Sequence, residues 1–457
     1  MSGRAATDRI IRGRAAISVN DPGHALPRGW ARAVLTDVAD LGTGHTPSRH
    51  HPEYWDGEIG WIGIRDAGAH HGKVINETAQ HITPLGVENS AARMLPKDTV
   101  CLSRTASVGY VVKMGRPMTT SQDFVTWSCS EAIDPDYLLN ALLAEGSDIR
   151  RFGEGSTHTT IYFPAVKAFN IDLPPPAEQR RIVAKLDALT ARLARVRAEL
   201  DRVPALAARL RLQTLEEQFR DSAGGETAKI GEICRVGTGS TPKRGEARYY
   251  DGGTIPWVTS GAVNHGLVTE PTEFITDAAI AETNCKIFPA GSLLVALYGE
   301  GKTRGMVATL GIEAATNQAL AVLHTFDEAR IKPDWVRMFL LARYEETRRA
   351  AAGGVQPNIN LGIVKAISLP VPSLLEQTRA LTQINANFAR ADRMEAEAAR
   401  ARGLVERLEA AILAKAFRGE LVPQDPDDEP ASVLLDRIHA ERAAAPQPKR
   451  GRRAKTG

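Results

Sequence analysis

The amino-acid sequence predicts an α+β fold in which two similar globular modules alternate with two long helices. The stretch TGHTPSRHHPEYWDG at residues 43–57 returns as TGSTPKRGEARYYDG at residues 238–252, with eight of fifteen positions identical and no gap. Each module precedes a stretch whose apolar residues recur at steps of three and four, which is typical of a long amphipathic helix. The sequence therefore predicts an internal duplication with a pseudo-twofold relation between its halves.

Length and composition indicate a multidomain globular protein. A chain of 457 residues exceeds one ordinary hydrophobic core, and 43% apolar with 24% charged residues is the composition of globular domains. No apolar run is long enough to span a bilayer. A net charge of +3 excludes an indiscriminate polycation and leaves room for a local basic patch.

The N-terminal segment and the cysteines suggest the compartment. Residues 1–26 are rich in arginine but lack the apolar stretch and cleavage site of a secretory signal, so we predict a loosely ordered basic extension. The cysteines have no C-x-x-C spacing, so we expect neither a zinc site nor a disulfide framework. We therefore expect the protein to reside in a reducing cytoplasm. They are Cys101, Cys129, Cys234 and Cys285.

The correspondence between the halves extends well beyond the opening match. Tryptophans, turn prolines and short polar triplets recur in the same order in both copies. The matched pairs are Trp61 with Trp257, Pro96 with Pro289, residues 120–122 with 316–318, residues 173–176 with 369–372, and the Glu-Gln pairs 178–179 and 376–377.

The segment IDPDYL at residues 133–138 resembles the loop with which adenine methyltransferases hold a flipped base. Its counterpart is IKPDWV at residues 331–336, where lysine replaces Asp134. A catalytic carboxylate would not survive this change in a working second copy. We therefore interpret both segments as helix starts with proline in the first turn.

The first long helix carries a heptad seam that alternates steps of four and three. Its residues are Ile182, Leu186, Leu189, Leu193, Val196 and Leu200, followed by Val203. Pro204 is expected to bend or break the helix, after which Leu206, Leu210, Leu215 and Phe219 resume the stripe.

The second long helix carries a sparser stripe. Its residues are Ile384, Ala391, Met394, Ala398, Ala401, Leu404, Leu408 and Ile412, and the stripe ends at Phe417. Phe219 follows Glu178, and Phe417 follows Glu376, at the same interval of 41 residues. Alanine permits close approach, so we predict that the two helices pair as an antiparallel coiled coil. An acidic turn and one last helix should follow, with a disordered basic tail from residue 447.

The modules lack the usual catalytic signatures of methyltransferases, nucleases, metalloproteases and serine hydrolases. GEGKT at residues 299–303 resembles part of a phosphate-binding loop, but Ala296 occupies the required glycine position. The pairs His50-His51 and His70-His71 could be imagined as metal ligands, yet the second copy does not repeat them. We therefore predict no catalytic residue, no metal and no cofactor in this chain.

The modules do carry polar, glycine-rich hairpin loops with scattered Arg, Lys, His, Asn and Gln. These side chains hydrogen-bond phosphates and base edges. The loops keep Thr, Gly and Pro in both copies, whereas positions 45, 48, 50, 51 and 53 differ from 240, 243, 245, 246 and 248. This pattern favours a shared scaffold with different contact residues.

Several motifs together resemble the specificity subunit of type I restriction-modification systems. They are T-G-x-T-P near the start of each module, the Gly-rich segments 153–161 and 353–361, the L-P-x-P turn before a Glu-Gln helix, and AFRGELVPQDPDDEPASVLLDRI at residues 416–438. The resemblance covers residues 27–438 in the family's order.

The resemblance implies a division of the chain into six segments. They are a basic extension (1–26), a first target recognition domain (27–176), a first helical spacer (177–222), a second target recognition domain (223–372), a second helical spacer (373–420) and a C-terminal segment (421–457). Each recognition domain would read one half of a bipartite DNA target. Residues 178–203 as a helix span roughly 39 Å, about one turn of B-DNA.

The resemblance also implies partners and contacts. The subunit does no chemistry; two modification subunits, which use S-adenosylmethionine, and two restriction subunits would join it, and ATP and Mg would bind to those partners. The exposed helix faces and residues 417–428 are candidates for the modification-subunit interface. Candidate DNA contacts are Arg49, His50, Arg65, Arg104 and His158 in the first module and Lys243, Arg244, Arg248, Lys302, Arg304 and Gln356 in the second.

Three alternatives stay open at this stage. The chain could serve a methylation-only system, it could be a DNA methyltransferase in its own right, or it could be a coiled-coil assembly protein. Missing cofactor motifs disfavour the second, and two modules with divergent loops disfavour the third.

Overall fold

The computed structural model describes residues 7–105, 107–155, 159–221, 225–299, 303–344, 346 and 359–444. The chain forms two compact units. The first contains residues 1–198 and 402–457, and the second contains residues 199–401. Both boundaries fall inside long helices, so each unit is a module together with parts of both helices. The predicted α+β fold with two modules and two long helices is confirmed.

The first unit begins with the elements of the first module. Its strands are β1 (Ile11–Arg12), β2 (Ile17–Val19), β3 (Ala31–Val34), β4 (Ala39–Thr43), β5 (Trp55–Ile62), β6 (Val74–Ile75), β7 (Gln80–Ile82), β8 (Val100–Ser103), β9 (Val111–Met114), β10 (Thr119–Thr120), β11 (Phe124–Cys129) and β12 (Phe169–Leu173). Its helices are α1 (Leu35–Val38), α2 (Ile64–Ala69), α3 (Pro84–Glu88), α4 (Pro135–Glu145) and α5 (Phe163–Lys167), with 3₁₀ turns at Pro52–Tyr54 and Gly146–Phe152.

The first long helix, α6 (Pro176–Asp221), leads into the second module. The strands there are β13 (Thr227–Lys229), β14 (Arg235–Thr238), β15 (Ile255–Val258), β16 (Leu267–Val268), β17 (Glu273–Ile275), β18 (Ile287–Phe288), β19 (Leu293–Ala296), β20 (Val307–Leu310), β21 (Ala314–Thr316), β22 (Leu320–His324) and β23 (Ser368–Pro370). The helices are α7 (Ile230–Ile233), α8 (Asp277–Glu282), α9 (Pro333–Ala342) and α10 (Leu361–Ala366), with 3₁₀ turns at Ala247–Tyr249 and Ser260–His265. Finally come α11 (Leu374–Ala416) and α12 (Ala431–Ala444).

The sheets repeat from one module to the other. The five-stranded sheet β4-β11-β8-β9-β6 has its counterpart in β14-β22-β19-β20-β16, in the same order. In the smaller sheets, β5 pairs in parallel with β10 and antiparallel with β7, just as β15 pairs with β21 and β17. The antiparallel pair β12-β3 corresponds to β23-β13. The internal duplication predicted from sequence is thus confirmed in the strands that the modules share, while β1, β2 and β18 have no counterpart strand among the described residues.

A buried glutamine joins each long helix to its module. The side-chain amide of Gln179, in the first turn of α6, accepts a hydrogen bond from the Asp134 N–H at 2.8 Å and donates to the Ala132 and Pro174 carbonyls at 2.9 and 3.0 Å. Gln377 does the same in α11, accepting from Lys332 N–H at 2.9 Å. Neither glutamine is exposed to solvent. The glutamine of each Glu-Gln pair therefore fixes the point at which the long helix leaves its module.

The segments IDPDYL and IKPDWV are helix starts, as interpreted from sequence. Asp134 caps α4 by accepting from the N–H groups of Asp136 and Tyr137, and Pro135 stands in the first turn. Tyr137 and Trp335 are fully buried and donate to strand carbonyls at 2.8 Å, those of Asp172 and Pro370. Their shared role is structural.

The phenylalanine that ends each 41-residue Glu-to-Phe interval makes an aromatic contact. Phe219, near the end of α6, packs on Trp335 with ring centroids 4.5 Å apart. Phe417, directly after α11, packs on Tyr137 at 5.5 Å. Each phenylalanine belongs to the unit of its aromatic partner. Because Phe417 is buried, it is not available to the modification subunit, and the predicted interface at residues 417–428 loses this residue.

The two long helices run antiparallel within each unit. In the first unit Arg197 of α6 pairs with Glu409 of α11, while Arg181 pairs at 2.6 Å with Asp428, which lies beyond the end of α11. In the second unit Arg211 contacts Glu395 at 2.7 Å, and this hydrogen bond raises the pKa of Arg211. Partly exposed ion pairs contribute about 0–1 kcal/mol each. A fully buried Leu or Ile contributes about 1.5–3 kcal/mol, so the apolar seam supplies more of the stability.

The predicted seam is correct in part of each helix. Ile182, Leu186, Leu193 and Ile384 are buried, while Leu189, Leu200 and Met394 are half-buried. The choice of Val196, Leu404 and Leu408 was wrong: these side chains are 45%, 58% and 51% exposed.

The spacing of seven residues accounts for two of these errors. From Ile384, steps of seven lead to Ala391 and Ala398, which the prediction included, and to Val405, which it did not; all three are buried. Leu404 lies one residue before Val405 and Leu408 three residues after it, so both fall outside this line. Val196 keeps the alternation of four and three but is exposed. Arg197, beside Val196, turns toward Glu409 at the corresponding level of the first helix.

Two further expectations need correction. Pro204 does not break α6, which is a single helix of 46 residues; Ala207 and Thr214 are buried on the seam, whereas Leu206 is exposed. The N-terminal extension is not loose over residues 11–19, because β1 and β2 extend the sheet beside β12. The Glu145 carboxylate secures it by accepting from the N–H groups of Arg14, Ala15 and Ile17 at 2.5–3.1 Å.

The C-terminal segment returns to the first module. α12 is the predicted last helix, and Arg442 donates to the Thr36 carbonyl at 3.0 Å. The basic tail from residue 447 lies outside the described residues. None of the helices in the described part of the chain has the length and hydropathy that a membrane span requires.

Replacing Gln179 with alanine should destabilise the protein. The change leaves one N–H and two carbonyl groups without their partner, and each buried polar group left unsatisfied costs about 1–3 kcal/mol. We expect the free energy of unfolding, measured by chemical denaturation, to fall by about 2 kcal/mol or more. Gln383→Ala, on an exposed face of α11, is the matched control. Equal stabilities of the two variants would contradict the anchoring role.

Candidate nucleic-acid interface

The T-G-x-T-P motif forms a tight corner at the same place in both modules. A Cβ on Gly44 would lie 2.0 Å from the Thr120 carbonyl oxygen, and one on Gly239 would lie 1.7 Å from that of Thr316. Glycine is therefore required by close approach of two backbone segments. The preceding threonines, Thr43 and Thr238, donate to strand carbonyls at 2.8 and 2.7 Å.

The other matched residues meet at this corner. Thr46 donates to Gln122 at 2.5 Å, and Thr241 donates to Gln318 at 2.7 Å. The indole N–H of Trp61 donates to the His45 carbonyl at 3.0 Å, and Trp257 makes the same bond to the carbonyl of Ser240 at 3.1 Å. The residues shared by the copies thus build one frame, which holds the loop that follows.

An arginine on this loop stacks against aromatic rings in both modules. The guanidinium carbon of Arg49 lies 3.9 Å from the centroid of Trp55, and Nη2 donates to the amide oxygen of Gln80 at 3.0 Å. We call these residues, with Trp61 at 5.7 Å, the first arginine–aromatic cassette.

The second cassette occupies the equivalent positions. The guanidinium carbon of Arg244 lies 5.1 Å from the ring centroids of both Tyr250 and Trp257. Its Nη1 donates to the carboxylate of Glu273 at 2.5 Å, and this hydrogen bond raises the pKa of Arg244. The two cassettes therefore differ in the group that holds the arginine, an amide in one and a carboxylate in the other.

The structure brings Arg104 to this corner, has His50 next to Arg49 on the loop, and leaves Arg65 apart. Arg104 donates to the carbonyl of Gln122 at 3.1 Å, and burial lowers its pKa. His50 and Arg65 are exposed, and no side-chain hydrogen bond ties them to the corner among the described residues. His158 lies outside the described residues.

The remaining second-module cations lie beside acidic partners. Lys243 contacts Glu246 at 3.2 Å, and Arg248 contacts Glu282 at 2.7 Å. Arg304 is half-buried in the turn before β20. Lys302 and Gln356 lie outside the described residues, so their predicted roles stay predictions.

Sequence reasoning missed the residues that hold the two arginines. Gln80 is 31 residues from Arg49, and Glu273 is 29 residues from Arg244. Both stand at the start of equivalent strands, β7 and β17. Their matching positions in the two copies were the signal that the sequence offered. Only the fold shows that these strand positions lie against the loop.

Neither histidine pair gathers into a metal site. His51 contacts Glu53 at 2.8 Å, and His71 accepts from the Val111 N–H at 3.1 Å. Burial lowers the pKa of His71. Across the ranges that the structure describes, no group of three or more His, Cys, Asp or Glu side chains could hold an ion.

A family model identifies what this repeated frame is. The model of the type I restriction modification DNA specificity domain matches residues 27–203 and again residues 224–389. The chain belongs to this family. The two matches coincide with the two modules and the beginnings of α6 and α11, so the family's unit is the one that the fold repeats.

Individual specificity-domain proteins resemble the chain over most of its length. The MjaIX specificity subunit of Methanocaldococcus jannaschii is 23% identical over 78% of this chain and 87% of its own length. The EcoKI specificity subunit of Escherichia coli is 24% identical over 92% of this chain and 97% of its own.

Solved structures share the fold of this specificity-domain chain. The HsdS subunit from Thermoanaerobacter tengcongensis has a TM-score of 0.61 at 22% identity and covers 88% of this chain and 100% of that one. A chain from a study of complex assembly and conformational transition of the type I R-M system has a TM-score of 0.67 at 20% identity, with coverages of 87% and 100%.

The close approach at the corner can be tested with Gly44→Ala. The added methyl group would overlap the Thr120 carbonyl, and overpacking of this kind costs about 1–3 kcal/mol. We expect the free energy of unfolding to fall by that amount, and Gly239→Ala should behave alike. Gly245→Ala is the control, because a Cβ there meets no atom within 4 Å. Full stability of Gly44→Ala would refute the steric requirement.

Arg244→Ala should weaken DNA binding, because it removes a cation and leaves Glu273 unpaired near the bound polyanion. We expect the Kd for target DNA, measured at fixed salt, to rise by about tenfold, which is about 1.4 kcal/mol. Arg337→Ala on α9, away from the loop, serves as the control. Unchanged affinity and an unchanged target sequence would remove Arg244 from the contact residues.

Proposed function

We propose that this chain is the DNA-recognition subunit of a type I restriction-modification complex, in which each module reads one half of a bipartite, asymmetric target. One observation carries the proposal: two equivalent corners share a frame but expose different side chains. The two loops differ at four matched positions. The first loop has His45, Ser48, His50 and His51 where the second has Ser240, Lys243, Gly245 and Glu246. Equal frames with unequal contacts suit two different half-sites.

Contacts from these loops would divide into two kinds. Lys and Arg contact phosphates and position the protein, while base edges are distinguished by hydrogen bonds from Arg, Asn, Gln or His. One exposed glutamine lies at each corner, Gln122 in the first module and Gln318 in the second. Their side-chain amides are suited to hydrogen bonds with base edges.

The long helices would set the gap between half-sites. α6 and α11 are continuous over 46 and 43 residues, and antiparallel contacts between them brace each unit. A continuous helix resists compression because every interior backbone group is hydrogen-bonded along the axis. The spacing between recognised sequences would then follow from helix length.

The chain would act with partners that carry the chemistry. Its relatives are named as specificity subunits of type I restriction enzymes. We propose two modification subunits that methylate adenine with S-adenosylmethionine, and two restriction subunits that use ATP and Mg. The exposed helix faces and residues 418–428 remain the candidate surface for the modification subunits. The chain itself would be non-catalytic.

Mapping of adenine methylation tests this proposal. The chain is coexpressed with the modification subunit encoded beside it, and methylated positions are mapped across the host genome. We expect a split motif of two short defined parts around a fixed undefined gap. A single continuous palindrome would count against the two-module reading.

Two controls separate the alternatives. Methylation by the purified chain alone would identify a methyltransferase, and absence of DNA binding in the presence of the modification subunit would favour an assembly protein. DNA cleavage after addition of the restriction subunit distinguishes a full restriction system from a methylation-only one.

A further inference from the structure

The two arginine–aromatic cassettes have the same plan but differ in one aromatic ring, Trp55 against Tyr250, and in the hydrogen-bond acceptor. Each has an arginine at the same loop position, two aromatic rings against it and one hydrogen-bond acceptor from the neighbouring strand. The acceptor is the neutral amide of Gln80 in the first module and the carboxylate of Glu273 in the second. This substitution changes the charge of the cassette, while the acceptor keeps its place at the start of the equivalent strand.

The difference has a direct electrostatic consequence. The amide of Gln80 orients Arg49 without cancelling its charge, so the first cassette carries one positive charge. The carboxylate of Glu273, 2.5 Å from Arg244, cancels most of the opposite charge at any distance beyond the pair. The second cassette is therefore close to neutral.

Both acceptors stand where they can act on an approaching ligand. The side chains of Arg244 and Glu273 are 55% and 39% exposed, so the pair faces solvent. Arg49 is exposed and Gln80 is half-buried. The rings restrain each guanidinium to one plane, so the acceptor determines its remaining orientation.

We propose that the residue at position 80 or 273 sets the charge that each module presents to DNA through its cassette arginine, an inference that rests on the proposed DNA-recognition function. Gln80 leaves Arg49 as a full cation that neutralises a phosphate. Glu273 makes Arg244 an oriented donor with little net charge. Gln80 and Glu273 are positioning residues, since they act through the arginines.

The salt dependence of binding separates this role from a merely structural one. Each phosphate neutralised by a protein cation adds about 0.9 to the slope of log binding constant against log salt concentration. A residue that only braced the loop could alter affinity, but it would leave this slope unchanged. The slope therefore counts the cations that reach phosphates.

The experiment uses the full chain assembled with its modification subunits and a duplex carrying the split site found by methylation mapping. Kd is measured between about 50 and 200 mM salt, where such slopes are resolved. Gln80→Glu should make the slope shallower by about one, so that the loss of affinity over this range is about threefold smaller. Glu273→Gln should make the slope steeper by about one and tighten binding at low salt.

Because the exposed helix faces are the candidate modification-subunit surface, the matched controls lie on the modules, at strand ends remote from the corner. Lys97→Gln precedes β8 and Glu328→Gln follows β22; they change the charge by the same amounts as the two test variants, and both should keep the original slope. Thermal unfolding checks that each variant is folded. Because the two test positions lie in different units, either variant alone can decide the question.

The outcomes distinguish the two proposals. If the unaltered assembly does not prefer its split site, the recognition function itself is wrong. If it does prefer the site and both test variants keep the original slope, the cassette inference is overturned while the recognition function stands. Opposite shifts in Gln80→Glu and Glu273→Gln support the inference.

Discussion

The buried amides of Gln179 and Gln377 are the interaction on which the architecture depends. Each ties the first turn of a long helix to the backbone just before the helix α4 or α9 of its module. An amide can donate and accept at once, which neither the carboxylate nor the aliphatic side chains around it can do. Helix direction, and with it everything that the helix positions, follows from this bond set.

Residues that build the corner are the same in both modules, whereas exposed residues of the loop differ. Close backbone approach at Gly44 and Gly239 and the indole bonds of Trp61 and Trp257 leave little freedom, so both copies retain them. Exposed loop positions make no such demands. A duplicated frame can therefore present different polar groups without loss of stability, which is what two unlike half-sites require.

The charge that each loop presents to DNA does not follow from its residue types alone. Counting cations would make the second loop the more positive one, yet Lys243, Arg244 and Arg248 all contact glutamates. The first loop has fewer cations, but Arg49 is held by a neutral amide. The charge available to DNA thus depends on pairing across strands more than on composition.

The sequence by itself determined the duplication, the α+β class, the family and most of the buried positions of α6, because repeats and heptad phase are local properties. It predicted Leu404 and Leu408 wrongly, since the stripe left the seven-residue line that ends at Val405, and it overestimated the effect of Pro204, whose helix is continuous. Only the tertiary structure decided that Gln80 and Glu273 hold the arginines and that Phe417 packs on Tyr137. Such contacts join residues far apart in the chain, and their partners are set by strand register and helix packing.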